Sequence, residues 1–422
     1  MTPLKSASGQ GELGLFVVGM GAVATTLFAG VELIRRCGRP AIGSFTQLGW
    51  MPDGRGGEGR AAELLPLTPL DGLEFGGVDL IEPDAGTSAA NAGVLRPADL
   101  EATLGFLDGI TAGPGIHDPT YVRTLPAVRV RPEKGKAAQA AAMAAVYRDF
   151  LSRRGCARGV VLLTLSTETW RPVGPVHATP ESFRMGLEQD APDISPSQIY
   201  AWAAVEAGCP VVNCTPNPVL EVPALAAFAQ ERGVPLCGSD LKSGQTLMKT
   251  VVAGGLARRL LGVRGWFSTN ILGNRDGFVL HEPENFRTKE ITKTGVLADL
   301  LDAQRYPELY GGLEHQVHIN YFPPKGDNKE AWDSIQLAGW LGYEMELKID
   351  FQCRDSILAA PLVLDLALLS DLAARRGRGG VQSWLGLYFK HPAILPGETR
   401  TNDLPRQFDV LQQTLAGWVK SV

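Results

Sequence analysis

Lysine is the scarce base of this chain. Arginine outnumbers it 28 to 12, and eight of the lysines (Lys242, Lys249, Lys289, Lys293, Lys325, Lys329, Lys348 and Lys390) fall between residues 242 and 390. A desolvated ammonium can donate to an alkoxide and shuttle its proton, which a guanidinium does not readily do. Where guanidinium supplies most of the positive surface charge, clustered lysines point to chemistry on oxyanions. Lys325 and Lys348 read as surface coat, and Lys249 fits either reading.

Several polar strings accompany these lysines. GSDLKSGQT puts Asp240, Lys242 and Ser243 in a loop that opens a helix, where free backbone N–H groups meet an anion. NILGNRDG sets Asn270, Asn274 and Asp276 on a turn after a strand. FRTKEITK spaces Lys289 and Lys293 at i and i+4, on one face of a helix. GDNK ends in Lys329, and CRDS holds Asp355 just before a very apolar helix, where a carboxylate is either the N-terminal cap or a site residue. Other chemistries find less support. The six histidines form no HExxH, the six cysteines form no CxxC, and there is no GxSxG and no P-loop. No metal site is demanded.

These residues need a scaffold. LGLFVVG is a continuous apolar run of the kind a buried parallel strand shows, and Gly19-Met20-Gly21-Ala22-Val23-Ala24 then turns into a helix. A glycine turn in that place is where a dinucleotide pyrophosphate rests on a helix N-terminus. The acidic residue expected about twenty positions later is missing, so ribose recognition stays open. The uncharged span Leu13–Val31 therefore reads as strand and helix rather than membrane segment. Further on, GLEFGGVDLI, VVLLTLST and PVVNCTP alternate with helical stretches, which implies a parallel sheet with crossover helices. The stretch from Pro40 to Thr68, rich in Gly, Pro and Arg, reads as a mobile loop. Beyond Asp240 the pattern is that of an antiparallel sheet, from GWFSTNILG, HQVHINYF and YEMELKIDFQC, with one helix around KEAWDSIQLAGWLG. At 422 residues with 45% apolar content, two lobes are expected, and a net charge of −5 argues against non-specific nucleic-acid binding.

Taken together, GMGAVATT, STE at Ser166–Glu168, NCTPN, GSDLKSGQT, NILGNRDG, FRTKEITK, GDNK, RDSILAAPLVLDL and FKHP resemble the inositol-3-phosphate synthase family, from about Gly11 to His391. The resemblance implies an α/β fold: a Rossmann-type NAD-binding domain from residues 1–245 and 358–422, with an inserted α+β catalytic and oligomerisation domain at 246–357. It implies conversion of glucose 6-phosphate to inositol 3-phosphate by oxidation at C5, enolisation, aldol closure and reduction by the same cofactor. NAD is the implied cofactor, with a monovalent or divalent cation left open. Carried over residue by residue, the catalytic positions are Lys289, Lys293, Lys329, Lys390 and Asp355. Substrate contacts fall on Asn270, Asn274, Asp276, Ser243 and Lys242. Cofactor contacts fall on Gly19, Gly21, Ala22, Val23, Ala24, Asp79, Thr167, Thr215, Asp240 and Ser243. The implied partners are a sugar phosphate and further copies of the chain, usually a tetramer, with neither nucleic acid nor membrane, in the cytoplasm. The long Gly- and Arg-rich stretch near residue 55 and the NCTPN string depart from the family's pattern. Alternatives are a plain NAD-dependent dehydrogenase, a related cyclase on another sugar phosphate, and a silent NAD-binding scaffold.

Overall fold

The apolar run before Gly19 forms a strand buried along its whole length, with Leu13, Leu15 and Val17 packed on one face and Phe16 and Val18 on the other. In this computed structural model, which describes residues 12–419 other than His281 and without the side chains of residues 283, 286 and 289–294, the strands follow in chain order. They are β1 (Leu13–Val18), β2 (Trp50–Pro52), β3 (Glu58–Arg60), β4 (Leu73–Asp79), β5 (Ala112–Pro114), β6 (Arg158–Leu163), β7 (Val211–Asn213), β8 (Pro235–Cys237), β9 (Gly262–Leu272), β10 (Glu314–Tyr321), β11 (Asn328–Ala338), β12 (Glu344–Arg354) and β13 (Gly380–Val381).

One sheet runs β13-β8-β7-β6-β1-β4-β5, every pair parallel. From β5 to β8 this is the doubly wound dinucleotide-binding order, with β13 added at the far edge. Helices cover both faces. Ala22–Cys37 and Asp355–Arg375 pack with Leu13, Leu15, Val160 and Leu162 on one side, and Lys136–Arg154 and Pro196–Glu206 lie with Phe16, Val161 and Leu163 on the other. Alternate residues of β1 and β6 thus serve different helix layers, which is why both strands are apolar throughout. The helix Asp355–Arg375 is long and apolar enough to cross a membrane by length and composition, yet most of it is buried inside the protein as a core element.

The segment from Pro40 to Thr68 is not the loop its composition suggests. It holds the helix Phe45–Leu48, the hairpin β2–β3 and the helix Ala61–Leu64, and it buries Met51, Ala61 and Leu65. Its anchor is Asp365, fully buried on the long helix. The carboxylate of Asp365 accepts from the Ser44 hydroxyl (2.6 Å), the Thr46 hydroxyl (2.6 Å) and the N–H groups of Phe45 (2.7 Å) and Thr46 (2.9 Å). Four donors on one buried carboxylate hold a polar segment that propensity alone leaves undefined.

A second sheet runs β10-β9-β11-β12. It is mixed rather than antiparallel, because β9 and β10 pair in parallel while the other pairs are antiparallel. The chain between β9 and β10 crosses over through the helices Arg275–Leu280 and Pro283–Leu300, which is what a parallel pair requires. The expected helix at KEAWDSIQLAGWLG is instead β11. Ala331, Asp333, Ile335 and Leu337 are buried while Trp332 and Gln336 are exposed, a period of two. The buried face lies against the helices Gly244–Arg258 and Pro283–Leu300 through Trp266, Ala253 and Leu297.

Candidate active site

At the C-terminal ends of β1 and β6, where the strand order reverses, a cleft of about 480 Å³ opens. Gly19 has φ +92°, and a Cβ there would lie 2.8 Å from Leu165 Cα, so the turn tolerates only glycine. Gly21 caps the helix Ala22–Cys37 without any side-chain bond. The first turn of that helix carries no acid, and nothing lies within 4 Å of where a Gly21 Cβ would be. The helix N-terminus therefore faces open cleft with its N–H groups ready for an anion. Asp79, at the end of β4, staples the turn: Oδ2 accepts from Met20 N (2.7 Å), and Oδ1 accepts from Ile81 N (2.7 Å) and Glu82 N (3.0 Å).

On the opposite wall, backbone pairing places Lys390. The segment Tyr388–His391 hydrogen-bonds to Ser239–Lys242, with Lys390 N donating to Asp240 O (2.7 Å) and Lys242 N to Tyr388 O (2.7 Å). The Lys390 ammonium then meets Asp240 Oδ1 at 3.0 Å, both side chains buried. Asp240 holds a positive φ of 60°, a strained conformation for a residue with a side chain. Lys329, at the start of β11, donates to Asp355 Oδ2 at 2.6 Å, and Ser243 Oγ donates to Asp355 Oδ1 at 3.2 Å. Asp355 is the first residue of its helix and the cap position is Arg354, so the carboxylate serves the cleft rather than capping. Gly244 keeps this corner tight. A Cβ there would come within 2.8 Å of Asp355 Oδ1.

Of the residues singled out in the sequence, Gly19, Gly21, Ala22, Val23, Asp79, Thr167, Thr215, Asp240, Ser243, Asn274, Asp276, Asp355 and Lys390 line this one cleft, and Lys329 reaches it through Asp355. Three other residues of the expected site stand outside it. Ala24 is buried in the core behind the turn. Asn270 is fully buried, its Nδ2 donating to Gln245 Oε1 at 2.5 Å. Lys242 turns away to Gln407 Oε1 (2.6 Å), and burial pushes its ammonium down to about 7. Lys289 and Lys293 lie on the helix Pro283–Leu300, and their side chains are outside the described residues. Lys249 is buried with Nζ 2.8 Å from His315 Nε2, away from the cleft. Lys325 and Lys348 are paired with Glu330 and Glu346. Among the described residues, no group of three His, Cys, Asp or Glu side chains is arranged to hold a metal.

Sequence reasoning missed Asp327, two residues before Lys329. It lines the cleft nearly buried and accepts from Asn274 Nδ2 (3.0 Å) on Oδ1, while among the described residues Oδ2 has no hydrogen-bond partner. Burial raises its carboxyl to about 6, helped by the nearby Asp355 charge. Its place in the GDNK string was the available signal. A raised carboxyl has a definite sign. As pH climbs from about 4 to about 6, the folded chain holds a proton that the unfolded chain has released, so Asp327 lowers stability across that window. Asp327→Asn is expected to gain about 1–2 kcal/mol over the parent above about pH 7, with the gain fading toward about pH 4. Thermal unfolding of both proteins across that range checks this, and an equal pH dependence would refute it.

A family model described as myo-inositol-1-phosphate synthase matches residues 13–416. Inositol-3-phosphate synthase 1 of Bacteroides thetaiotaomicron is 42% identical over 411 residues, covering 97% of this chain and 96% of that protein. Inositol-3-phosphate synthase 1 of Rattus norvegicus is 33% identical over 429 residues, covering 94% and 76%. The crystal structure of inositol-3-phosphate synthase from Caenorhabditis elegans matches with a TM-score of 0.90 at 27% identity, covering 98% of this chain and 87% of that one.

Proposed function

The chain belongs to the myo-inositol-1-phosphate synthase family and cyclises glucose 6-phosphate to inositol phosphate with NAD, and we propose that the lysines and carboxylates around the switch-point cleft carry the steps. The observation that supports this is the meeting of two lysine–aspartate pairs, Lys390–Asp240 and Lys329–Asp355, on a cleft whose other wall is a dinucleotide-type glycine turn.

The chain's residues fit the cofactor. The uncapped helix N-terminus at Gly21 suits a pyrophosphate, and Thr167, Thr215, Asp240 and Ser243 line the same cleft. When bound, NAD supplies a hydride acceptor that returns the same hydride at the end of the cycle. In our reading Lys329 and Lys390 sit at the C5 oxygen and move its proton, while Asp355 and Asp240 orient them. Lys289 holds the C1 oxygen or the phosphate as the ring closes, and Lys293 lies nearer the phosphate and nicotinamide. Asn274, Asp276 and Ser243 position the sugar. Fixed ammonium groups around the cleft stabilise each oxyanion as it forms, usually the largest single catalytic contribution. The base at C6 is a lysine or the substrate's own phosphate.

We read residues 246–357 as an inserted lobe between the two parts of the dinucleotide lobe, and the protein as a cytoplasmic homotetramer. The outer face of the second sheet supports assembly: Phe267 and Trp332 are about a third exposed there, and the turn Trp340–Tyr343 presents Trp340, Leu341 and Tyr343 to solvent. Purified protein incubated with NAD and glucose 6-phosphate should give inositol phosphate by NMR with no net reduction of NAD. Stoichiometric reduced nicotinamide and an oxidised sugar would identify a dehydrogenase instead.

A further inference from the structure

The helix Pro283–Leu300 carries Lys289 and Lys293, and its first two turns hold two buried polar side chains that the scheme above does not use. Asn285, 4% exposed, donates through Nδ2 to Thr167 O (2.8 Å) and Tyr121 O (3.1 Å). Thr288, 1% exposed, donates through Oγ1 to Glu168 O (2.8 Å). The two side chains are three residues apart, so they leave one face of the helix together. Both reach main-chain carbonyls of the segment that leaves β6, and Thr164–Thr167 of that segment line the cleft.

The receiving segment is itself held. The Glu168 carboxylate accepts from Ser197 N (2.8 Å) and Ser197 Oγ (2.6 Å). Glu168 N donates to Asn217 Oδ1 (2.8 Å), and Asn217 Nδ2 donates to Ser166 O (3.1 Å). The Arg287 guanidinium lies 4.7 Å from the centre of the Trp170 ring, a further contact between the helix and the chain beyond Glu168. The floor of the cleft is thus a braced strut, and the helix is fastened to it at Asn285 and Thr288.

We propose that Asn285 and Thr288 are positioning residues: by clamping the helix Pro283–Leu300 to the segment Ser166–Glu168 at the cleft floor, they set the helical register that carries Lys289 and Lys293. This rests on the cyclase reading above. The leverage is geometric. Thr288 directly precedes Lys289, and each residue of slip along a helix rotates its side chains by about 100° and moves them about 1.5 Å. A loosened clamp should leave most of cofactor binding in place, since the glycine turn is untouched, and slow the steps on oxygens that need those lysines.

Thr288→Val keeps the shape and removes the hydroxyl, and Thr288→Ser keeps the hydroxyl. For Thr288→Val we expect kcat to fall about tenfold or more, with the KM for glucose 6-phosphate and the Kd for NAD within about threefold of the parent. Reduced nicotinamide should accumulate during turnover, because hydride has left the sugar while ring closure waits. Thr288→Ser should restore the parent behaviour. Amides of residues 283–300 in NAD-bound Thr288→Val should exchange hydrogen faster than in the parent, a readout independent of turnover. Unchanged exchange, or unchanged kcat in both Thr288→Val and Asn285→Leu, would overturn the clamp. An unmodified protein that makes no inositol phosphate would instead overturn the cyclase reading, and the exchange result would still report on the clamp.

Discussion

Lys329→Met is expected to lose at least about a thousandfold in turnover while folding normally and binding NAD as the parent does. Loss of Lys329 should cost the fold less than breaking a pair buried on both sides, because the partner carboxylate is partly exposed. Its side chain is 11% exposed, and its partner Asp355 is 27% exposed and also accepts from Ser243. Removing one preorganised donor to a developing oxyanion costs about 10²–10³ in rate, and losing a proton shuttle at the same atom costs a further comparable factor. Single-turnover mixing of the NAD-loaded variant with glucose 6-phosphate should show no nicotinamide reduction, because oxidation at C5 is the first step that needs this lysine. Product formation at the parent rate would remove Lys329 from the mechanism.

Lys390→Met should abolish turnover by a similar margin and, unlike the first variant, should also destabilise the protein. The difference comes from burial. Lys390 and Asp240 are 7% and 3% exposed, and breaking a buried pair by removing one member typically costs about 3–5 kcal/mol, because the remaining buried charge loses its ammonium. Adding Asp240→Asn removes that charge. The double variant should therefore recover most of the lost stability in a denaturant titration and none of the activity. Recovery of turnover in the double variant, or an unperturbed single variant, would mean that the pair serves only the fold.

The parts of this architecture that local pattern specifies were readable in the chain. The run before Gly19 is apolar at every position because β1 is covered on both faces, and the turn after it needs glycine for a reason that lies in its own φ and in the closeness of Leu165. Local pattern also misled in places. The segment KEAWDSIQLAGWLG has the composition of a helix. Its period of two, with Asp333 counted among the inward positions, was masked because a buried carboxylate looks like a surface residue until Trp266 Nε1 and Ser268 Oγ are seen donating to it at 2.7 and 2.6 Å. The order of the Pro40–Thr68 segment depends on Asp365, more than three hundred residues away. The strand that follows β1 in the parallel sheet is β4, which the Pro40–Thr68 segment pushes back along the chain, so the carboxylate that closes it, Asp79, lies far beyond the distance at which an acid was sought. Asp327 and Thr288 were unremarkable as letters. Each becomes significant only through a neighbour brought near by the fold.

The return of the chain to its first sheet has a consequence for synthesis. Strands β1 to β8 of the parallel sheet are complete by Cys237, but the edge strand β13 and the segment bearing Lys390 emerge from the ribosome only after the whole second sheet has been made. Until then β13 has yet to pair with the edge of β8, and the long apolar helix Asp355–Arg375 has yet to cover its face of the sheet. A nascent chain paused before residue 355 is therefore expected to expose apolar surface, and slower translation of the second sheet should lower the folded yield.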